Sequence, residues 1–458
     1  MLTYDMSKRG TVPLYEYLYR CIRKDILEGV LRPGEKLPSR RSLARHLSLS
    51  AITVENAYEQ LVAEGFLFTR ERSGYFVSSL QLLPPARETA PLPASLPVKQ
   101  KWFLDLGENR SNPAHFPFTV WSRLMRRILS EGDSRLLGPL DPQGEQVLRG
   151  AIARHLYQFR GMNVSPQQII VGAGTEYLYQ LLVHLLGRGC TIAIENPGHG
   201  KIRRIYQANG IKCPPVSLDQ QGMSIQELQQ TGADAAHLSP SHHYPTGIVT
   251  TASRRYQLLH WAGDKRYLIE DDYDSEFRFD RRLLPTLQSA DTRGRVIYMN
   301  TFSKTLAPSI RIGYMVLPSR LLEQFHQRLG FYACPVSVFE QMTLALFLQD
   351  GYFEKHLNRM GNYYNQCRAQ AVEAVKQSGL KGDILEEHAG LHFLVKLHTS
   401  LSDAQIKQRA ARRGVLVRCL SDYSVTPTDT ATILINYSGI DLTRLAPALE
   451  RVAQAVFS

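Results

Sequence analysis

No run of apolar residues in this 458-residue chain approaches the roughly 20 that a membrane-spanning helix requires. The first residues mix polar and charged side chains and lack the apolar core of a signal peptide. A cytoplasmic protein with no membrane partner is therefore expected. Cysteine is sparse. Cys21, Cys190, Cys213, Cys334, Cys367 and Cys419 are scattered without the paired spacing that zinc or redox chemistry needs. They read as reduced packing residues, and no metal is expected. No internal repeat is present, which excludes a solenoid or a propeller.

Positive charge is in excess. The 54 Lys and Arg against 42 Asp and Glu leave a formal net charge of +12, so an anionic partner is expected, nucleic acid foremost. Charge does not locate the contact surface, because residues 1–78 hold 12 Lys and Arg against 9 Asp and Glu, only +3 of that excess. With 43% hydrophobic and 21% charged residues the composition is that of an ordinary globular protein, at a length that calls for two or three domains.

Proline marks the division. The stretch "LLPPARETAPLPASLPVKQK" carries Pro84, Pro85, Pro91, Pro93 and Pro97, few large apolar residues and no periodicity, as an extended linker does. It separates a head, residues 1–78, from a body, residues 102–458, with the linker over 79–101. In the head, Leu14, Leu18, Ile22, Ile26 and Leu27 recur at helical spacing and Gly29 closes the helix. A Pro-Gly turn and a Ser39 cap then open a short second helix. Ser50 caps a third, with Val54, Ala57, Tyr58 and Leu61 on one face. "FLFTRERSGYFV" alternates about a turn at Ser73-Gly74, as a two-stranded wing would. Three helices and a hairpin of this size spell an α+β winged helix-turn-helix.

In the body, helical stretches alternate with the β-branched runs "QIIVGAG", "TIAIENPG", "RYLIEDDYD" and "RVIYMNTFSK". Strand then helix, repeated, predicts an α/β domain with a largely parallel sheet, which binds ligands beyond the carboxyl ends of its strands. Each polar cluster falls at such an end. Lys304, among Thr301, Ser303, Thr305 and Arg311, suits a Schiff base beside a bound phosphate. "LIEDDYDSEF" supplies an acid for a pyridine nitrogen and a tyrosine two residues on for a ring oxygen. "VGAGTEYLYQ" joins strand to helix through small residues and so makes a phosphate cradle. Each cluster alone has a bland reading: a surface lysine, a solvated acidic loop with Asp274 and Glu276 as structural residues, an arginine in an ordinary ion pair. The combination is more specific than its parts.

The head resembles the GntR-type winged helix through "LRPGEKLPSRRSLARHLSLSAITVENAYEQLVAEGFL". That resemblance implies double-stranded DNA as partner. Arg40 and Arg41 would contact phosphate or a base edge, Ser50, Ile52 and Thr53 would face the major groove, and Arg70 and Arg72 would carry the wing tip to the backbone or minor groove. Glu55 stands where many relatives carry a basic residue. The body resembles the fold type I pyridoxal-phosphate aminotransferases in the order of its motifs, from the cradle through "ENPGH", "YPTG", "EDDYDSEF" and "SK" to "RIGY". This implies pyridoxal 5'-phosphate as cofactor, Lys304 as its Schiff-base lysine, Asp271 as pyridinium partner and Tyr273 as partner of the phenolic oxygen. Gly174, Thr175, Ser303 and Arg311 would bind the phosphate with Thr301 beside them, and His199 takes the place of the stacking aromatic.

A GntR-type head on such a body is similar to the MocR/GabR family of bacterial transcriptional regulators. The resemblance implies a homodimer, swapped head to tail, in which pyridoxal phosphate or its adduct with an amine or amino acid biases DNA binding. Departures from a working aminotransferase point to sensing over turnover. Pro139 replaces a phosphate-binding tyrosine, Tyr244 an asparagine and Leu434 the substrate-carboxylate arginine, for which Arg418 is the replacement candidate. The alternatives are an active aminotransferase with a regulatory head, and a DNA-binding protein whose body only dimerises.

Overall fold

The computed structural model describes residues 2–80, 101–107, 113–277, 285–385 and 390–458, so the linker expected over 79–101 lies almost wholly outside the described residues. The chain forms two compact units, Met1–Lys99 and Gln100–Ser458.

In the first unit, α1 (Leu14–Leu27), α2 (Arg40–Leu47) and α3 (Ala51–Ala63) precede the antiparallel hairpin of β1 (Leu67–Arg70) and β2 (Gly74–Val77). Leu18, Ile22 and Ile26 of α1 pack against Val54, Ala57, Tyr58 and Leu61 of α3 in one apolar core. Leu27, expected on the same stripe, is 40% exposed. It follows Leu18 by nine residues, which at 100° per residue is the opposite side of the helix. Ser39 and Ser50 cap α2 and α3 by accepting N–H bonds from Ser42 and Thr53. Replacing Ser50 by Ala removes the second cap and is expected to cost about 1 kcal/mol, read as roughly fivefold faster hydrogen exchange in the first turn of α3.

The hairpin turn differs from the sequence expectation. Arg70 pairs with Gly74, so the turn is Glu71-Arg72-Ser73 and not Ser73-Gly74. Arg72 takes the left-handed conformation, φ 57°, that a three-residue hairpin loop requires. A further short segment around Lys36 pairs with Phe76 on the other edge of β2.

The body opens with β3 (Leu104–Asp105), α4 (Phe118–Glu131) and α5 (Gln146–Arg160). Its main sheet then draws on β4 (Ile169–Gly172), β5 (Ile192–Asn196), β6 (Pro215–Asp219), β7 (Gly222–Met223), β8 (Ala235–Leu238), β9 (Tyr267–Asp271), β10 (Val296–Thr301) and β11 (Gly313–Val316). They lie in the order β4-β11-β10-β9-β8-β5-β6-β7. β5, β6, β8, β9 and β10 run parallel, while β11 is antiparallel to both its neighbours and β7 to β6. β4, β8 and β10 are buried along their whole length, because helices cover both faces, and this explains their near-continuous apolar runs. α6 (Thr175–Leu186) leaves β4 and α7 (Gly200–Ala208) leaves β5 at the carboxyl edge.

A smaller lobe follows. Its antiparallel sheet comprises β12 (Gly382–Leu385), β13 (His392–Leu397) and β15 (Thr432–Asn436), and β14 (Val415–Leu416) pairs back with β3. The helices Tyr352–Gln377 and Leu442–Phe457 supply Cys367, Ala371, Leu445 and Leu449 to its core. All six cysteines are free and five are buried, in keeping with a packing role.

Candidate cofactor site and DNA-reading face

Four strand ends converge on one cavity of about 240 Å³. β4 delivers Thr175, β5 delivers His199, β9 delivers Tyr273, β10 delivers Ser303 and Lys304, and Arg311 stands just ahead of β11, all of them lining it. Gly174 forms the floor of the cradle. It holds φ 85° at the start of α6, and a Cβ there would stand 2.7 Å from the Arg311 guanidinium. Only a glycine leaves that approach open, beside first-turn N–H groups with no intrahelical acceptor. Arg311 itself is left-handed, φ 52°, and donates to the Ala173 carbonyl at 3.2 Å and to Glu176 at 3.3 Å. Lys201 binds the other oxygen of Glu176 and, with Arg311, holds that carboxyl below its ordinary range. The Thr301 hydroxyl is used inside the turn, with Ser303 Oγ at 2.9 Å and the Ile312 carbonyl at 3.2 Å, so it shapes the position of Ser303.

Lys304 is half-buried by exposed area, its amine end set in the cavity wall, and desolvation pushes that amine down to about 8, opposed by the Asp274 carboxylate. Asp271 is 4% exposed at the end of β9. Its Oδ2 accepts from Tyr179 Oη at 2.5 Å and lies 3.4 Å from His237 Nε2, whereas its Oδ1 has no hydrogen-bond partner among the described residues. A buried carboxylate oxygen held in place and left without a donor calls for one, and a ring N–H would meet that need. Asp271 itself stands behind the cavity lining, next to His237 and Tyr179, which reach it. Tyr206 secures His237 in turn, at 2.8 Å.

His199 caps α7, accepting from Lys201 N at 3.3 Å, and its ring lies 5.5 Å from that of Tyr244. Tyr244, in the asparagine's place, shares a 2.9 Å hydrogen bond with Tyr423 of the small lobe. Leu434 is fully buried, opposite Leu394 across the β13–β15 ladder. Arg418 does not reach the cavity: its guanidinium pairs with Asp105 at 3.3 Å and remains 45% exposed, against Gly107.

Several groups at the cavity escape sequence reasoning. Glu195 lines it, and burial pushes its carboxyl up to about 8, while burial and neighbouring His242 push His243 down to about 3. Their 3.6 Å contact is therefore between neutral groups at pH 7. The acidic stretch is not a solvated loop. Glu270, Asp271, Asp272 and Asp274 are all buried, Asp272 against Arg160 at 2.8 Å. Among the described residues no group of three or more His, Cys, Asp or Glu could hold a metal.

On the head, the exposed face of α3 carries Ile52, 68% exposed, with Asn56 and Glu59. The head's cations sit elsewhere. Arg40 and Arg41 open α2, but Arg40 is ion-paired to Glu55 of α3. Arg70 lies over the rings of Phe76 and Phe68, at 4.8 and 5.4 Å, and Arg72 stands in the turn. The Ser50 hydroxyl caps α3 and also bonds Thr53 Oγ1 at 2.7 Å, so both side chains are engaged within the helix start.

Residues 14–77 match the bacterial regulatory proteins of the gntR family, and residues 100–452 match aminotransferase class I and II. An uncharacterized HTH-type transcriptional regulator of Bacillus subtilis, YdeL, is 36% identical over 99% of both chains. The probable rhizopine catabolism regulatory protein MocR of Rhizobium meliloti is 31% identical over 95% of this chain and 92% of its own. The HTH-type pyridoxine biosynthesis transcriptional regulator PdxR of Corynebacterium glutamicum is also 31% identical, over 95% and 94%. The chain belongs to the MocR-type transcriptional regulators. The body's fold is that of kynurenine aminotransferase from Pyrococcus horikoshii, with a TM-score of 0.70 at 22% identity over 78% of this chain and 91% of that one. As a MocR-type regulator it joins a GntR winged helix to a fold type I, pyridoxal-phosphate-binding body, and the orphaned Asp271 oxygen and the glycine-floored cradle fit that group.

Proposed function

We propose that this MocR-type regulator binds operator DNA as a homodimer in the cytoplasm and uses pyridoxal phosphate captured on Lys304 as its signal. The single observation that carries this reading is a cavity-lining lysine with a lowered proton affinity beside a glycine-floored strand-to-helix turn, on a chain that also bears a winged helix. When bound, the cofactor supplies a carbonyl for the lysine and an electron-withdrawing ring. The chain's own residues do the rest. Gly174, Thr175, Ser303 and Arg311 would hold the phosphate, Asp271 would keep a proton on the ring nitrogen, Tyr273 would donate to the phenolic oxygen, and His199 would cover the ring.

Arg41, Ile52, Arg70 and Arg72 are the proposed DNA contacts, with Arg40 positioned by Glu55. Leu434, apolar and fully buried where the resemblance puts the carboxylate-binding arginine, supports sensing over amino-acid turnover. Two target classes fit the relatives' names: genes of vitamin B6 synthesis, after PdxR, or of amine and amino-acid use, after MocR. Leu434 in the arginine's place favours the first.

The test is a gel-shift titration of the cofactor-free protein on the DNA flanking its gene. Pyridoxal phosphate is expected to change the affinity or the stoichiometry of the complex, with binding that weakens as salt rises. Specific binding that ignores the cofactor would point to a second effector. No specific binding, with turnover of an amino acid and a keto acid, would instead favour an active aminotransferase.

A further inference from the structure

We infer that His242 and Asp274 form a positioning couple behind Tyr273 and Lys304: it anchors the Tyr273 hydroxyl at the cavity edge and keeps a negative charge beside the lysine. The inference rests on Lys304 being the residue that captures the cofactor.

The couple is built, not incidental. His242 Nδ1 lies 2.8 Å from Asp274 Oδ2, and the two side chains are 1% and 3% exposed. An ionised carboxylate has only acceptor sites, so Nδ1 carries the proton and donates it. The Tyr273 oxygen lies 3.5 Å from the same Nδ1. Tyr273 lines the cavity, and its hydroxyl shares the Asp274 carboxylate with His242, so the couple holds the phenol in place.

The ring is clamped in that pose. A Cβ at Gly390, φ 73°, would stand only 1.8 Å from His242 Cε1, so the imidazole fills the space a side chain would occupy. The glycine is fixed from both sides, donating to the Phe277 carbonyl at 3.2 Å and accepting from Tyr437 Oη at 2.6 Å. On the far face the His392 ring packs 5.1 Å away, and its Nε2–H is spent on the Pro245 carbonyl at 3.0 Å. Burial, with neighbouring His242, pushes the proton affinity of His392 well down, against the pull of the Pro245 carbonyl.

The titratable groups facing the amine of Lys304 are Asp274 and Tyr273 after β9, His199 at α7 and His392 at β13. Burial lowers the proton affinity of Lys304 and Asp274 pulls it back up. Removing that charge must therefore leave the amine neutral at lower pH.

The experiment is stopped-flow capture of pyridoxal phosphate by full-length protein across pH 6 to 10, fixed with borohydride and located by mass spectrometry. In the unsubstituted protein the rate is expected to rise through a midpoint near 8. Asp274→Asn is expected to move the midpoint down by roughly one pH unit, so that capture at pH 7 is faster. His242→Leu is expected to shift the absorbance maximum of the bound cofactor and slow capture. His242→Asn, whose amide N–H can take the place of Nδ1–H, is expected to restore both, and it keeps the test alive if Asp274→Asn does not fold. An unmoved midpoint in Asp274→Asn, or a His242→Asn that behaves as His242→Leu, would overturn the couple and leave the capture reading standing. No capture by the unsubstituted protein would overturn the capture reading and the couple with it.

Discussion

Lys304→Met is expected to abolish covalent capture of pyridoxal phosphate outright, with no borohydride-fixed mass increment on the chain, and with it any cofactor dependence of DNA binding. The reason is local. An amine whose midpoint is about 8 is roughly one quarter neutral at pH 7.5, against roughly one part in a thousand for a lysine at its ordinary value. Only the neutral form is a nucleophile, so capture concentrates at this residue and rises as pH passes through 8. Weaker, reversible binding through the cradle and Asp271 is expected to persist. The same burial makes a stability prediction of opposite sense. A folded-state midpoint below that of the unfolded chain destabilises the native state below about pH 8, and the penalty is relieved as pH rises toward the ordinary lysine value. Without cofactor, Lys304→Met is therefore expected to melt above the unsubstituted protein at pH 7, the difference closing in alkali. A variant whose DNA binding still responds to the cofactor would end the Lys304 reading.

The second large effect is on stability. Arg160, at the end of α5, donates to Asp272 at 2.8 Å and to Ser241 at 3.0 Å, and Tyr298 donates to the same Asp272 oxygen at 2.7 Å. Both charged side chains are within 2% of complete burial. Burial would raise the Asp272 carboxyl, but Arg160 and the hydroxyls around it bring it below its ordinary range. Arg160→Met strands that carboxylate, for an expected loss of about 3–5 kcal/mol. All three tryptophans, Trp102, Trp121 and Trp261, lie in the body, so their fluorescence follows its unfolding in urea without interference from the head. In the unsubstituted protein Asp272 contributes stability above the ordinary carboxylate range, lost as pH falls through its lowered folded value. In Arg160→Met the folded value is raised, so the deficit is expected to shrink on acidification. A double replacement with Asp272→Asn should recover much of the loss. A deficit that neither acid nor the double replacement reduces would assign the effect to packing.

Residues that are neighbours in sequence are also neighbours at the cavity. Thr301, Ser303 and Lys304 follow one strand, and Gly174 and Thr175 open one helix, so a short motif already holds the geometry. Contacts between elements do not show in such a motif. Tyr179, inside the quoted cradle stretch but given no role there, reaches Asp271 from four residues into α6, and His237 reaches it from β8 with no motif of its own. Arg418 was the reverse case. A basic residue near a buried strand looked available, but Asp105, more than 300 positions earlier, holds it. Arg40 likewise meets Glu55 only because α2 and α3 cross.

The sequence by itself determined the two-part organisation, the winged helix, the alternating α/β body and the lysine, acid and cradle that define the cofactor. Periodicity, caps and strand-end motifs are local properties, and they survive any rearrangement of distant elements. The tertiary structure alone decided which charges are spent and which remain. Burial of the acidic run, neutrality of Glu195 and His243, the lowered proton affinity of Lys304 and the clamp on His242 all depend on groups far apart in the chain excluding water together. Desolvation and charge pairing are set by what surrounds a residue in space, and no window of sequence contains that information.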